Sequence, residues 1–451
     1  MSDPPKDPER DRLAARIGRV AQVGANMTGA AAAFAAARIS GGDDAQIAKA
    51  VKAALGKSKG PLMKVAQLLS TIPDLLPQAY ADEFRKLQSH APPMGWPFVD
   101  RRMRAELGAG WQAKFKSFEH EAAHAASLGQ VHRAMAHDGQ ALACKLQYPD
   151  MTSAVEADLG QLRTLLGLFK SMDNTIDSTE AIEEVSARLR EELDYARELK
   201  HMRLFASILK DKPARVPEPI EGLSTKRLLT MTWLSGKGLL AHVEANQETR
   251  NRIAAMLFET WWTPMTRYGV IHGDPHLGNY SFTEDAGALN LLDFGCVRIF
   301  PPTFVEGVVQ LQTALKTNDK AGIAHAFEIW GFQNLSNELI EALTIWARFI
   351  YAPLIDDRVR TIADGVKPAE YGRKEVAEVR RRLRGLGPVL VPREFVFMDR
   401  AAIGLGAAFL HLHAELNFAR LFEQSIANFT AAALAARQAD ALAEAGLAPP
   451  A

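Results

Sequence analysis

The 451-residue sequence has only two cysteines, Cys144 and Cys296, and neither belongs to a CxxC pair or a Cys/His cluster. That scarcity excludes a disulfide scaffold and a structural zinc, fits a reducing compartment, and predicts two free thiols. An excess of one charge sign is also missing. Lys plus Arg number 53 and Asp plus Glu 53, so no global field points to nucleic acid, and partners must be read from local features. Long apolar runs are absent as well. The longest uncharged stretch, 20–37, is diluted by Gln22, Asn26, Thr28, glycines and weakly apolar alanines. A spanning helix needs about 20 strongly apolar residues, so this stretch is expected to dock on its own domain or lie on a surface. The start, MSDPPKDPERDR, lacks the apolar core of a secretory signal, and its acids argue against a mitochondrial presequence.

What is present is ordinary for a globular chain, with 47% hydrophobic and 24% charged residues, and the length suggests two or three domains. The texture divides into helical segments at 1–57 and 58–114, a mixed region at 115–235, and a mostly helical region at 236–451. In the mixed region, short alternating runs (QVHRAMA, ALACKLQ) predict strands joined by a hairpin at His137-Asp138-Gly139. The spacing of Ile182, Val185, Leu189, Leu193, Ala196 and Leu199 predicts one long helix over 179–209. A strand in KRLLTMTWLSG follows, then a helix to about Gly269, then a strand ending in DFG.

The most informative segment is IHGDPHLGNY, followed within one hairpin by LLDFG. In H-x-D-x-x-x-x-N the Asp can hold or deprotonate an attacking hydroxyl or water, and the Asn binds a magnesium ion. The Asp of DFG holds the magnesium that bridges the phosphates. His272, Asp274, Asn279 and Asp293 keep this order and spacing. The chemistry needs them because a transferred phosphoryl group spreads charge over oxygens that fixed carboxylates and metal must surround. A metal-ligand run, His272-x-Asp274-x-His276, is the rival reading, and it leaves DFG unexplained.

Upstream, Ala143, Lys145 and Gln147 share one face of a strand. A-x-K there leaves room for adenine while the lysine reaches the phosphates. Met231, on the KRLLTMTW strand, is grouped with these nucleotide contacts. The lysine needs a carboxylate partner, and EELDYARE offers Glu191, Glu192, Asp194 and Glu198. On one continuous helix Asp194 and Glu198 share a face and Glu192 points elsewhere, which does not choose among them. No GxGxxG precedes the lysine. AAHAASLGQVH stands in its place, a turn of small residues.

With these residues in hand, the chain resembles the UbiB family of atypical kinases, also called ADCK or AarF. The family's K-x-G-Q motif is similar to Lys64-Val65-Ala66-Gln67, and its alanine-rich loop to His124-Ala125-Ala126-Ser127. Its E-x-D motif resembles Glu192-Leu193-Asp194, its H-x-D-P-H-P-G-N segment resembles 272–279, and the lysine-pairing glutamate falls on Glu198. Ala66, His124 and Leu277 depart from the pattern. The resemblance implies an α+β, protein-kinase-like bilobal fold with an N-terminal helical extension and a mostly helical C-terminal lobe. It implies ATP and Mg2+ as cofactors, with Asp274, Lys145 and Glu198 catalytic. Ala125, Ala126, Ser127, Lys145 and Met231 would contact nucleotide, and Asn279 and Asp293 the metal. Lys64, Gln67, Glu192 and Asp194 would regulate, the extension covering the cleft where a protein kinase binds peptide. After DFG, CVRIFPPTFVEGVVQL enters a helix almost at once, with no A-P-E. That independently favours ATP hydrolysis or a small lipid-like acceptor over protein phosphorylation.

The family supports ubiquinone biosynthesis, which implies a quinone-precursor lipid or quinone-biosynthesis proteins as partners. The expected location is the cytoplasm, peripheral on the inner membrane. Two other classes stay open: a phosphotransferase like the aminoglycoside and choline kinases, and a nucleotide-binding regulator without turnover.

Overall fold

The computed structural model describes residues 93–450 apart from 126–127, 171–175, 178, 364–365, 368–370, 384–385, 387–388 and 391. The stretch at 20–37, the Lys64 and Gln67 motif, Ala66, Ala126 and Ser127 therefore lie outside the described residues. The chain divides into two compact units. Unit one is Met1–Asp173, Ile182–Ala196 and Pro219–Trp233; unit two is Asn174–Ala181, Arg197–Glu218 and Leu234–Ala451.

In unit one, helix α1 (Trp96–Leu107) starts with Pro97 in its first turn, where a missing amide costs no bond, and ends at Gly108 with φ 89°. Strands β1 (Ser117–Ala125), β2 (Gly129–Met135), β3 (Ala141–Gln147) and β4 (Leu228–Thr232) form one antiparallel sheet in the order β1-β2-β3-β4. The β2–β3 turn falls at the expected hairpin, with Gly139 at φ 90°, a backbone that only glycine adopts cheaply. Leu142, Cys144 and Leu146 on β3 join Val99, Met103, Trp111 and Phe115 in a buried cluster. Buried Arg102 pins α1 to the sheet by donating to the Gln147 and Tyr148 carbonyls, at 3.1 and 3.2 Å, and pairs with Glu106 at 3.3 Å. Two further helices are α2 (Met151–Lys170) and α3 (Thr179–Glu191), the latter in unit one from Ile182; α4 (Tyr195–Ile208) follows and belongs to unit two from Arg197 on.

The expected single helix over 179–209 is thus two helices, α3 and α4, broken at Glu192-Leu193-Asp194. Apolar periodicity runs through the break, but tertiary hydrogen bonds override it. The Tyr195 amide donates to the Lys226 carbonyl at 3.1 Å, and the Gln147 side chain donates to the Leu193 carbonyl at 3.2 Å. The Asp194 carboxylate accepts the Ala196 amide at 3.1 Å, a turn geometry that Asp adopts readily. Asp194 and Glu198 therefore do not share the face of one helix, because Asp194 precedes α4 and caps it.

Unit two is built on α5 (Gln247–Tyr268), capped by Asn246, which accepts from the Thr249 amide at 2.8 Å, and closed by Gly269 at φ 63°. Short strands follow: β5 (Val270–His272), β6 (Tyr280–Phe282), β7 (Leu289–Leu291) and β8 (Val297–Ile299). β5 pairs antiparallel with β8, and β6 with β7, while Ala214–Arg215 adds in parallel to β7. Helices α6 (Pro302–Thr317), α7 (Lys320–Ile329), α8 (Asn337–Ile355), α9 (Arg373–Leu383), α10 (Arg393–His411), α11 (Phe418–Ser425) and α12 (Ala431–Ala445) complete it. The chain passes from β8 into α6 within three residues, as its sequence suggests. Among the described residues no helix is long and apolar enough to cross a membrane.

Candidate active site

The chemistry-bearing loops of unit two are held by direct side-chain bonds. His272, 1% exposed, donates through Nε2 to the Asp293 carbonyl and through Nδ1 accepts the Asp274 amide at 3.4 Å, which fixes the neutral tautomer. The Trp261 indole on α5 donates to the His272 carbonyl at 2.9 Å, and the Gly273 amide to the Cys296 carbonyl at 2.6 Å. One imidazole thus ties the HGD turn to the DFG turn.

The metal-ligand candidates are oriented in the same way. Asn279 donates its amide nitrogen to the Asp274 carbonyl at 3.1 Å, which turns its carbonyl oxygen, the atom a cation needs, to the other side. The Asn279 carbonyl accepts the Leu292 amide at 2.8 Å, so Asn279 and Asp293 sit at corresponding ends of the β6–β7 hairpin. One Asp293 oxygen accepts the Gly295 amide at 2.9 Å. An oriented amide oxygen and an oriented carboxylate are hard donors that fit Mg2+ when phosphate oxygens complete the shell. Among the described residues no group of three or more His, Cys, Asp or Glu side chains has metal-binding placement, which counts against the His272-x-Asp274-x-His276 reading. The His276 ring accepts the Gly278 amide at 3.1 Å, an ordinary turn contact.

Glu198, 3% exposed, lies in the first turn of α4 and accepts the Phe294 amide at 3.4 Å, and His201 one turn later bonds the Phe294 carbonyl at 3.1 Å. α4 therefore grips the backbone of DFG from both sides of its buried phenylalanine, whose ring packs on Phe205 and His272. Sequence reasoning missed His201 and Trp261, although His201 stands three residues after Glu198 on one helix face. It also missed Tyr280, whose buried hydroxyl has no hydrogen-bond partner among the described residues. Burial, and then the Asp274 charge, push this phenol well above its usual range.

In unit one, Lys145 lies mid-strand on β3, 9% exposed, with Nζ 5.2 Å from the Tyr195 ring centroid. Ala143 pairs with Met231 across β3 and β4, and both are buried. Ala125 ends β1 opposite Gln130, and His124 stacks on Trp233 at 6.2 Å between centroids. Asp194 and Glu192 are half-buried at the α3–α4 break. Cys144 and Cys296 are both free and buried, and burial pushes the Cys144 thiol up to about 12.

A family model described as the ABC1 atypical kinase-like domain matches residues 86–327. The chain belongs to that family. Among curated proteins, the ABC1-family chain is 30% identical over 268 residues to the yeast (Saccharomyces cerevisiae) protein "Atypical kinase COQ8, mitochondrial", covering 59% of this chain and 54% of that one. It is 27% identical to the Rattus norvegicus "Atypical kinase COQ8B, mitochondrial", covering 81% and 69%. The matched stretch thus spans about half the length of the yeast relative. A solved complex of Rv3197 with erythromycin, from Mycobacterium tuberculosis, is similar at 27% identity with a TM-score of 0.56, covering 82% of this chain and 93% of that one. The fold class is accordingly protein-kinase-like, mixing helices and sheets.

Proposed function

We propose that this ABC1-family chain binds Mg-ATP and either hydrolyses it or passes the γ-phosphoryl group to a small lipid-like acceptor in isoprenoid quinone biosynthesis. The observation that carries this reading is the His272 bridge between the Asp274 amide and the Asp293 carbonyl, because phosphoryl transfer needs the turns that carry these two carboxylates held together before the reaction begins. Asn279 and Asp293 would hold Mg2+, which supplies charge neutralisation on the phosphates. Asp274 positions the attacking hydroxyl or water and takes its proton. Lys145 neutralises the α- and β-phosphates, and we assign Glu198 to orient it while also receiving the Phe294 amide. Ala125, Ala126, Ser127 and Met231 would line the nucleotide.

The reading extends to the rest of the chain. Lys64, Gln67, Glu192 and Asp194 are proposed as regulatory. Partners are a quinone-precursor lipid or quinone-biosynthesis proteins, at the surface of a membrane rather than within it. Support comes from the family membership, from the named atypical kinases it resembles, and from the direct passage of β8 into α6, which leaves no peptide platform after DFG.

The test is Mg-dependent nucleotide binding and phosphate release by the purified chain, with and without phenolic headgroup compounds. Release abolished by Asp293→Asn supports the reading. Tight Mg-nucleotide binding without release would leave a regulator, and phosphorylation of an aminoglycoside or choline would move the chain to the small-molecule kinases.

A further inference from the structure

Unit one gives Lys145 a neighbour that no sequence motif assigned to it. Lys145 and Gln147 are two residues apart on β3 and point from the same face of the sheet, opposite the face that Leu142, Cys144 and Leu146 pack on α1. Both side chains reach the segment that separates α3 from α4. The Gln147 side chain donates to the Leu193 carbonyl at 3.2 Å, and Lys145 Nζ stands over the Tyr195 ring, 5.2 Å from its centroid.

That ring is itself fixed on several sides. Tyr195 opens α4 and is buried, with its amide bonded to the Lys226 carbonyl at 3.1 Å, two residues ahead of β4. One residue earlier, the Asp194 carboxylate accepts the Ala196 amide and sets the turn. At its other end the Tyr195 hydroxyl approaches Gly129, the first residue of β2, which pairs with Gln147 on β3. A Cβ at position 129 would stand 3.0 Å from the phenol oxygen and 2.2 Å from the Leu146 carbonyl oxygen. The ring therefore lies against the start of β2 at one end and beneath the β3 lysine at its face.

We propose that Tyr195 is a positioning residue for Lys145, its ring face fixing where the ammonium lies on the sheet without neutralising it. Lys145 is only 9% exposed, and a buried charge is costly unless something compensates it. A carboxylate compensates by cancelling the charge, and so competes with phosphate for the ammonium. An aromatic face attracts the ammonium through its quadrupole and leaves the whole charge in place. The flexible four-carbon stem of a lysine needs such direction, because its point charge has no planar fork to orient it. Since the ring follows directly on Glu192-Leu193-Asp194, that segment sets where the lysine points. The value of this placement rests on the reading that Lys145 serves nucleotide phosphates, whereas the contact itself requires no nucleotide.

The experiment records magnetic resonance spectra of the full chain with labelled lysine side chains, the Lys145 signal being assigned by its loss in Lys145→Met. Protons held over a ring face are shielded, so the ε-methylene of Lys145 should lie upfield of the ordinary lysine position. Tyr195→Phe keeps the ring and should retain both that shift and the affinity for Mg-ADP. Tyr195→Leu removes the ring, should return the signal to the ordinary position, and should weaken Mg-ADP binding about tenfold, within the range of a desolvated cation–π contact. Tyr195→Met serves if the leucine variant does not fold. An ordinary shift in the parent chain overturns the contact without recourse to any Tyr195 variant. A shift that survives loss of the ring, or equal Mg-ADP affinity in the parent and the ring-less variant, overturns the positioning role. A ring-dependent shift in a chain that binds no Mg-nucleotide leaves Tyr195 holding Lys145 and removes the proposed function; Mg-nucleotide binding with an ordinary shift does the reverse.

Discussion

The sheet of unit one and the loops of unit two position reactive side chains by different means. Lys145 sits in a regular ladder, paired with Val131 on one side and Leu229 on the other, so its backbone is fixed by bonds that do not involve its side chain. Asp274 and Asp293 sit in turns flanked by strands of three residues, and side chains fix those turns: His272, Trp261, Glu198 and His201. The backbone of a ladder keeps its bonds when a side chain such as that of Lys145 is replaced, whereas these turns lose bonds when one of the four holding side chains is removed. Function and stability should therefore separate at Lys145 and be coupled at the side chains that hold the turns of unit two.

The largest effect is expected at the two residues, one in each unit, assigned to the same chemistry. Asp293→Asn removes a charged ligand and should lower turnover by roughly 10^2-fold or more, the order seen when one transition-state contact is lost. Lys145→Met should do the same. The comparison is sharpened by the midpoints. Both should stay within a few degrees of the parent chain, since the amide oxygen of the Asp293→Asn side chain can still accept the Gly295 amide and β3 does not rely on the lysine. Equal Mg-nucleotide affinity in parent and Asp293→Asn would break the assignment of DFG.

Next in size is a glycine. Gly129 opens β2 where a Cβ would stand 2.2 Å from the Leu146 carbonyl oxygen. Backbone cannot yield there, so Gly129→Ala should cost about 2–4 kcal/mol in denaturant unfolding. Even a tolerant ladder has a point of close approach, and a loss below about 0.5 kcal/mol would show the sheet to be looser than described.

Glu198 then tests the coupling in unit two. Glu198→Ala removes the acceptor of the Phe294 amide and should cost about 1–3 kcal/mol, because a buried donor loses its partner. Glu198→Gln keeps an acceptor, so it should retain most stability while losing turnover if the carboxylate also serves Lys145. Equal stability in the two variants would make the α4 grip incidental.

How much of this was legible in the sequence follows from how local each feature is. HGD, DFG and the strand lysine are local patterns, and the hairpin glycine and αL Gly269 are set by single residues, so all could be read directly. The α3–α4 break could not. Its apolar periodicity is intact, and the interruption depends on Lys226 and Gln147, far away in sequence. The grip of His201 on Phe294 and of Trp261 on His272 joins segments that no spacing rule connects. A small apolar pocket in unit two likewise draws on residues between Phe258 and Phe409, each of which alone reads as core.

The smallest effect concerns pH and returns to the sheet. His132 on β2 is fully buried, bonded through Nδ1 to the Glu119 carbonyl at 2.8 Å and through Nε2 to the Gln130 side chain at 2.8 Å. Gln130 also exchanges two bonds with the Met94 backbone, so the imidazole supports the entry to α1. Burial is the main cause that lowers the His132 pKa below its ordinary value. A histidine with a depressed folded pKa binds fewer protons folded than unfolded. Its contribution is therefore fully present above the unfolded pKa, about 6.5, and is lost as pH falls through the folded value. His242 and His411 are shifted in the same direction, also chiefly by burial, so the whole chain should lose stability on acidification below that point. The difference between the parent and His132→Gln isolates the sheet. The variant should have a lower midpoint at neutral pH and a shallower fall on acidification, the two curves converging by a few degrees. Parallel curves would mean that His132 does not titrate in this range.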